Sequence, residues 1–218
     1  MVNDLKLRLA TSAMYMAAIA LLSGCSVFGI RSGYEELNYE VIENFGGIEI
    51  RRYPQRLVAE VMDMKDKNTE FMTLFRYIAG ANSSRTKVAM TSPVQVKNQG
   101  EKITMTAPVE TSPAKEGKFS MRFFLPKTLN IDTAPKPTSP NIKVYSLPEE
   151  TYAVLRYSGN SSQDYFIQQR AQLFQKLVIS NWKAVAPASF LGYDPPFTIP
   201  FLRRNEVAVQ VESLATTP

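Results

Sequence analysis

The sequence predicts an α+β fold, a duplicated strand–strand–helix–strand unit whose strands make a mainly antiparallel barrel or sheet with two helices outside. Three observations predict it. Period-two alternation of apolar residues recurs over 39–61 and again over 206–211. Two stretches, one near 69–79 and one opening at Ser161, carry apolar residues at helical spacing. Finally, Ile142-Lys143-Val144-Tyr145-Ser146-Leu147-Pro148 repeats Ile48-Glu49-Ile50-Arg51-Arg52-Tyr53-Pro54 at an offset of 94, which also aligns Ala153 with Ala59 and Leu155 with Val61.

The first element, residues 1–24, reads as a cleavable export signal. Lys6 and Arg8 form its basic region, and Leu9 to Leu22 runs without a charge. That run is shorter than the roughly 20 residues of a membrane span and has the length of a signal-peptide apolar region. Leu22-Ser23-Gly24-Cys25 closes it and resembles the lipobox of bacterial lipoproteins. An ordinary signal peptide with a chance cysteine is the competing reading. Against it, Cys25 is the single cysteine of 218 residues and stands where a lipobox requires it. An exported chain with one cysteine forms no internal disulfide, and thioether modification removes an exposed thiol. Residues 25–38 are then the lipidated cysteine and a tether, and several acyl chains anchor the protein to a membrane. This places it in the bacterial cell envelope. Ser26 after the cysteine, rather than Asp, favours the outer membrane, facing the periplasm.

The folded domain is expected over 39–212, with 213–218 as a tail. Tyr39–Ile42 and Ile48–Ile50 alternate around Phe45-Gly46-Gly47, a hairpin signal, and Leu57–Val61 is a third strand after Pro54. Asn68 or Thr69 caps a helix over about 69–79, and Gly80 stops it. Strand-like segments follow at 86–96, 102–110 and 118–125, and Pro135, Pro137 and Pro140 mark a connector. In the second half Ser161 with Asp164 suggests a capping box, and Ile167, Ala171, Phe174 and Val178 line one helix face. Glu206–Val211 is the last strand.

A tighter repeat lies inside the first half. Lys87-Val88-Ala89-Met90-Thr91-Ser92-Pro93-Val94 recurs as Lys102-Ile103-Thr104-Met105-Thr106-Ala107-Pro108-Val109. Asn98-Gln99-Gly100 between them suits a turn, so the copies are expected as hairpin partners, with the prolines favouring edges or bulges. Met90 and Met105 read as core packing, the alternative being a polarisable lining for a flat ligand.

Composition excludes much chemistry. The chain has no histidine, which removes His-ligated haem, His-containing zinc sites and Ser-His or Cys-His catalytic pairs. With Cys25 lipidated no thiolate is left, and nothing resembles a Gly-rich phosphate loop. Formal charge is +5; loss of Lys6, Arg8 and Asp4 with the signal leaves 23 basic against 19 acidic residues, or +4. Spread along the chain, that excess gives little support to nucleic-acid binding and suits anionic lipid or an acidic ligand.

Tyr39–Pro54, the first helix followed by Gly80-Ala81-Asn82, the doubled MT-x-PV, and Tyr193-Asp194-Pro195-Pro196 with Arg203-Arg204-Asn205-Glu206 together resemble the SOUL haem-binding protein family. The resemblance covers about 38–212. It implies a distorted, mainly antiparallel β-barrel flanked by two helices, built from a duplicated unit. It also implies binding of haem or a related tetrapyrrole rather than catalysis. In haem-binding members the ligand lies against the first helix, with basic side chains near the propionates. Here the matching helix offers Phe71, Met72, Phe75 and Ile78 as the apolar wall and Arg76 as the basic partner, a guanidinium suiting a carboxylate. The same apolar positions also suit packing on the sheet. Phe197–Leu202 is expected to cover this groove, with Phe197, Ile199 and Phe201 but no lysine. Some members ligate iron through histidine; this chain has none, which leaves Tyr77 or Met72 as weak ligands. The expectation is a monomeric, lipid-anchored tetrapyrrole binder without enzymatic activity, metal site or nucleic-acid partner. An envelope scaffold, or a binder of other amphipathic small molecules like regulatory drug-binding domains, is the alternative.

Overall fold

The computed structural model describes residues 35–64, 67–84, 87–88, 91–99, 118–195 and 197–214. The export signal, Cys25, Met90, Met105, the strand expected at 102–110 and most of the expected tail lie outside the described residues. In chain order the elements are β1 (Glu35–Glu36), β2 (Glu40–Phe45), β3 (Ile48–Tyr53), β4 (Arg56–Met64), helix α1 (Lys67–Ile78), β5 (Thr91–Ser92), β6 (Val94–Gln99) and β7 (Lys118–Phe124). There follow β8 (Ile142–Leu147), β9 (Glu150–Tyr157), helix α2 (Gln163–Val178), β10 (Trp182–Ala184), β11 (Ser189–Gly192) and β12 (Asn205–Ser213).

Among the described residues the fold is mixed: two helices and one large antiparallel sheet in the order β2-β3-β9-β12-β11-β6-β7-β4-β8, with β10 beside β12. β1 and β5 form a separate parallel pair. Among the described residues the sheet is open, which corrects the expected closed barrel. Among those residues β2 is laddered only to β3 and β8 only to β4, so both stand as its edges. The expected hairpin between the doubled motifs has its second copy outside the described residues. Of the first copy, Val94 opens β6 and pairs with Phe123 on one side and Gly192 on the other.

Local chemistry explains the turns. Gly46 and Gly47 both take positive φ, +54° and +82°, which the tight turn joining β2 to β3 demands and glycine supplies at no steric cost. Gly80, at φ +114°, ends α1, and the Ala81 N–H donates to the Arg76 carbonyl. The cap of α2 is Ser162, whose hydroxyl accepts from the Tyr165 N–H, rather than Ser161. Its buried stripe is Phe166, Gln169, Leu173 and Leu177, one position from the expected face, and Val178 is exposed.

Alternation divides the sheet into two chemically different faces. Ile48, Ile50, Ala153, Val207 and Val209 lie under Phe166, Leu173 and Leu177 of α2. Leu57, Ala59, Val61, Met121 and Phe123 lie under Leu74, Tyr77 and Ile78 of α1. The opposite face is also buried, yet it carries Arg51, Glu60, Gln95, Arg122 and Glu206 among tyrosines. Two registers fix the middle of this arrangement: Glu49 pairs with Val154 and Ile50 with Ala153, while Glu60 pairs with Lys143 and Ala59 with Val144.

Candidate ligand-binding site

Helix α1 lies on β4 and β7, and its buried arc is set by Glu70, Leu74, Tyr77 and Ile78. The helical period turns Met72, Phe75 and Arg76 to the other side, three and four residues apart and therefore neighbours on one stripe. Met72 is 43% and Phe75 39% exposed, and Arg76 stands beside them in solvent. Phe71 sits at the boundary. Its ring stacks against Phe75 at 6.0 Å and meets the core ring of Phe123 edge-on at 5.4 Å, so it backs the exposed surface with the sheet. Four of the five residues singled out on this helix are thus brought together. Ile78 falls on the buried arc and packs in the core with Leu74.

Tyr77 is fully buried, and its hydroxyl donates to the Pro135 carbonyl at 2.7 Å. Burial raises its pKa. A neutral phenol already committed to a backbone acceptor is closed to iron, which removes one of the two weak ligands considered. The Phe197–Leu202 turn is not beside α1. Pro200 accepts from the Gly159 N–H, which fastens the turn ahead of α2, on the half of the sheet that α2 covers. It therefore leaves the α1 stripe uncovered.

The second polar concentration was not singled out from the sequence. Glu206 is fully buried and accepts from Arg51 at 2.8 and 3.2 Å, from Arg204 at 2.9 Å and from the Tyr193 hydroxyl at 2.8 Å. Arg51 lies over the Tyr39 ring and Arg204 over the Tyr193 ring. Burial alone pulls both guanidinium pKa values down; Glu206, with Tyr53 beside Arg51 and Tyr193 beside Arg204, outweighs it and raises both. Two smaller pairs continue the pattern, Arg56 with Glu150 at 2.6 Å and Arg122 with Glu60 at 2.7 Å. A crevice between Tyr53, Arg56, Gln95, Phe124 and Tyr152 has room for about one water. Arg56 Nε and Gln95 Oε1 are buried there without a hydrogen-bond partner among the described residues. The crevice is far too small for a tetrapyrrole. The signal for this network was legible: charged residues stand at the polar positions of the alternating stretches 49–60 and 204–206.

Among solved structures the chain is similar in fold to the EcmrR C-terminal domain, with a TM-score of 0.55 and 11% identity over 80% of this chain and 98% of that one. It is similar also to EcmrR in a cryo-EM complex with DNA, with a TM-score of 0.56 and 10% identity over 97% and 67% of the two chains. A hydrolase from Listeria innocua matches with a TM-score of 0.55 and 9% identity over 78% and 94%. At such identities the likeness is one of fold. No curated protein matches the sequence. The profile of the family described as SOUL heme-binding protein matches residues 34–210, nearly the whole of the described fold, and the chain belongs to that family.

Proposed function

We propose that the protein is a lipid-anchored binder of haem or a related tetrapyrrole, a binding protein and not an enzyme. The ligand is held on the outward stripe of α1. The observation that carries this reading is the stripe itself: Met72 and Phe75 exposed side by side, backed by Phe71 and flanked by Arg76. Membership of a haem-binding family supports the ligand class. The apolar side chains would cover a porphyrin face and Arg76 would meet a propionate; Ile78 supports the wall from beneath. With no histidine in the chain, iron is held without histidine ligation.

The same reading includes a monomer anchored through Cys25 in the cell envelope, in the outer membrane and facing the periplasm. It also includes a duplicated unit. Adding 94 to Glu49 and subtracting it from Val154 gives Lys143 and Glu60, which are themselves paired, and Ile50 with Ala153 gives Val144 with Ala59 in the same way. A two-fold relation between the halves requires this coincidence of register.

Titrating haemin into the purified protein and following its absorption spectrum tests the site. Met72→Ser with Phe75→Ser should abolish the spectral change while lowering the melting temperature by only a few degrees, because neither side chain is in the core although Phe75 stacks on Phe71. Unchanged haemin binding in that variant would refute the site. Cell fractionation tests the anchor separately: Cys25→Ser should leave the membrane fraction or remain unprocessed, and an acylated, membrane-bound variant would refute it.

A further inference from the structure

Two apolar tips project from the described fold, one at each end of α2. Val178 is 82% exposed at its C-terminal end. At the other end is the Phe197–Leu202 turn, which holds Phe197 63% and Phe201 71% exposed. An exposed phenylalanine on a slack loop signifies little, but this turn is fixed. The Thr198 N–H donates to the Pro195 carbonyl at 3.1 Å, and the Leu202 N–H to that of Ile199 at 2.9 Å. Arg203 Nε donates to the Thr198 carbonyl at 2.7 Å, and Gly159 N to the Pro200 carbonyl at 2.9 Å. Thr198 is buried beneath it. The fold thus keeps two phenyl rings in water on a braced backbone, so little ordering entropy remains to be lost when they are covered.

We propose that this turn is a membrane-contacting surface, and that Phe197 and Phe201 enter the headgroup region of the bilayer to which Cys25 tethers the chain. The proposal rests on the lipid-anchor reading. The point at which the tether enters the fold selects this tip over the other. Glu36 in β1 bonds Arg204 at 3.1 Å, directly after the turn, so the chain arrives beside it. The stretch from Cys25 to Glu35 spans at most about 36 Å, enough for the turn to touch the surface that holds the lipid. Val178 lies about 22 Å further along α2 from Gln163. A lipid interface accepts rigid apolar side chains at its boundary, and the net positive charge of the mature chain suits anionic headgroups.

Site-directed spin labelling tests it, using the fact that Cys25 is the single cysteine. If Cys25 is acylated, Phe201→Cys gives the only free thiol in the lipidated full-length chain. In vesicles containing phosphatidylglycerol, a nitroxide there should be shielded from a water-soluble nickel reagent and reached by oxygen. A nitroxide at Val178→Cys should stay open to nickel. Nickel access at Phe201→Cys equal to that at Val178→Cys would overturn the proposal while leaving the anchor intact, and is the result expected if the turn meets a protein partner or nothing. Label taken up by the unsubstituted chain would instead unseat the anchor, and the proposal with it.

Discussion

Glu206 shows what a single side chain does here. It joins β12 to β3 through Arg51 across 155 residues of sequence, and to Arg204 and Tyr193 nearby. Its value lies less in the pair energy than in the desolvation of two guanidiniums whose other carboxylates, Glu49 for Arg51 and Glu36 for Arg204, are far more exposed than the buried Glu206. Glu206→Ala should therefore destabilise the fold by about 3–5 kcal/mol, read from the urea midpoint; a loss below about 1 kcal/mol would show that water reaches the cluster. The buried tyrosines give a second expectation. Burial pushes the Tyr53 and Tyr152 phenols up to about 12, and Tyr193 is raised by the same cause. An unfolded chain releases these protons near pH 10 and the folded chain retains them, so the unfolded state binds fewer protons within that window. Stability should hold below about pH 10 and fall as pH rises toward 12. Melting temperatures beside tyrosinate absorbance check this, and a flat profile over that range would contradict it. Charged residues on alternating strands were legible in the sequence. Which of them meet was not, because the pairing depends on a strand order that no local pattern encodes.

At the scale of elements, α2 marks the limit of reading by period. Phe166, Leu173 and Leu177 form one apolar stripe and Ile167, Phe174 and Val178 another, one residue over. Helical spacing fits both, and the sheet chooses the first. Leu173→Ala should cost about 2–5 kcal/mol and Val178→Ala well under 1, measured by thermal melts. The hairpin, the end of α1 at Gly80 and the last strand were legible because glycine and alternation act locally. The cap of α2 missed by one residue, since neighbouring Ser161 and Ser162 both satisfy the pattern. On α1 the expected wall separates by angle: Met72, Phe75 and Arg76 face out and Ile78 faces in. Arg76→Glu should cost only about 1 kcal/mol of stability, since the side chain is exposed and the change opposes the dipole in the last turn of α1, yet weaken binding of both haem and metal-free protoporphyrin by repelling a propionate. Direct titration of the two ligands checks it; an effect on haem alone would place Arg76 near iron instead.

The whole molecule decides how iron can matter. With no histidine in the chain and Tyr77 committed to the Pro135 carbonyl, the exposed stripe of Met72, Phe75 and Arg76 offers iron the thioether of Met72. A lone thioether is a weak ligand for ferric iron. Affinity must then come from apolar contact, at about 25 cal/mol per Å2 of surface removed from water. A macrocycle lying on an open stripe buries one face and leaves the other in solvent. After association costs this gives roughly micromolar binding, near 8 kcal/mol. If the α1 stripe holds the ligand as proposed, the contact is made by the ring and its propionates, and metal-free protoporphyrin should compete with haem at comparable concentration. Fluorescence titration of protoporphyrin with haem as competitor measures the ratio. Haem binding a hundredfold tighter, which corresponds to about 2.7 kcal/mol, or a strong-field six-coordinate spectrum, would require an axial bond that the α1 stripe does not supply. Met72→Leu then discriminates: it keeps the apolar contact and removes the sulfur, so a selective loss of haem affinity would identify the thioether as the ligand.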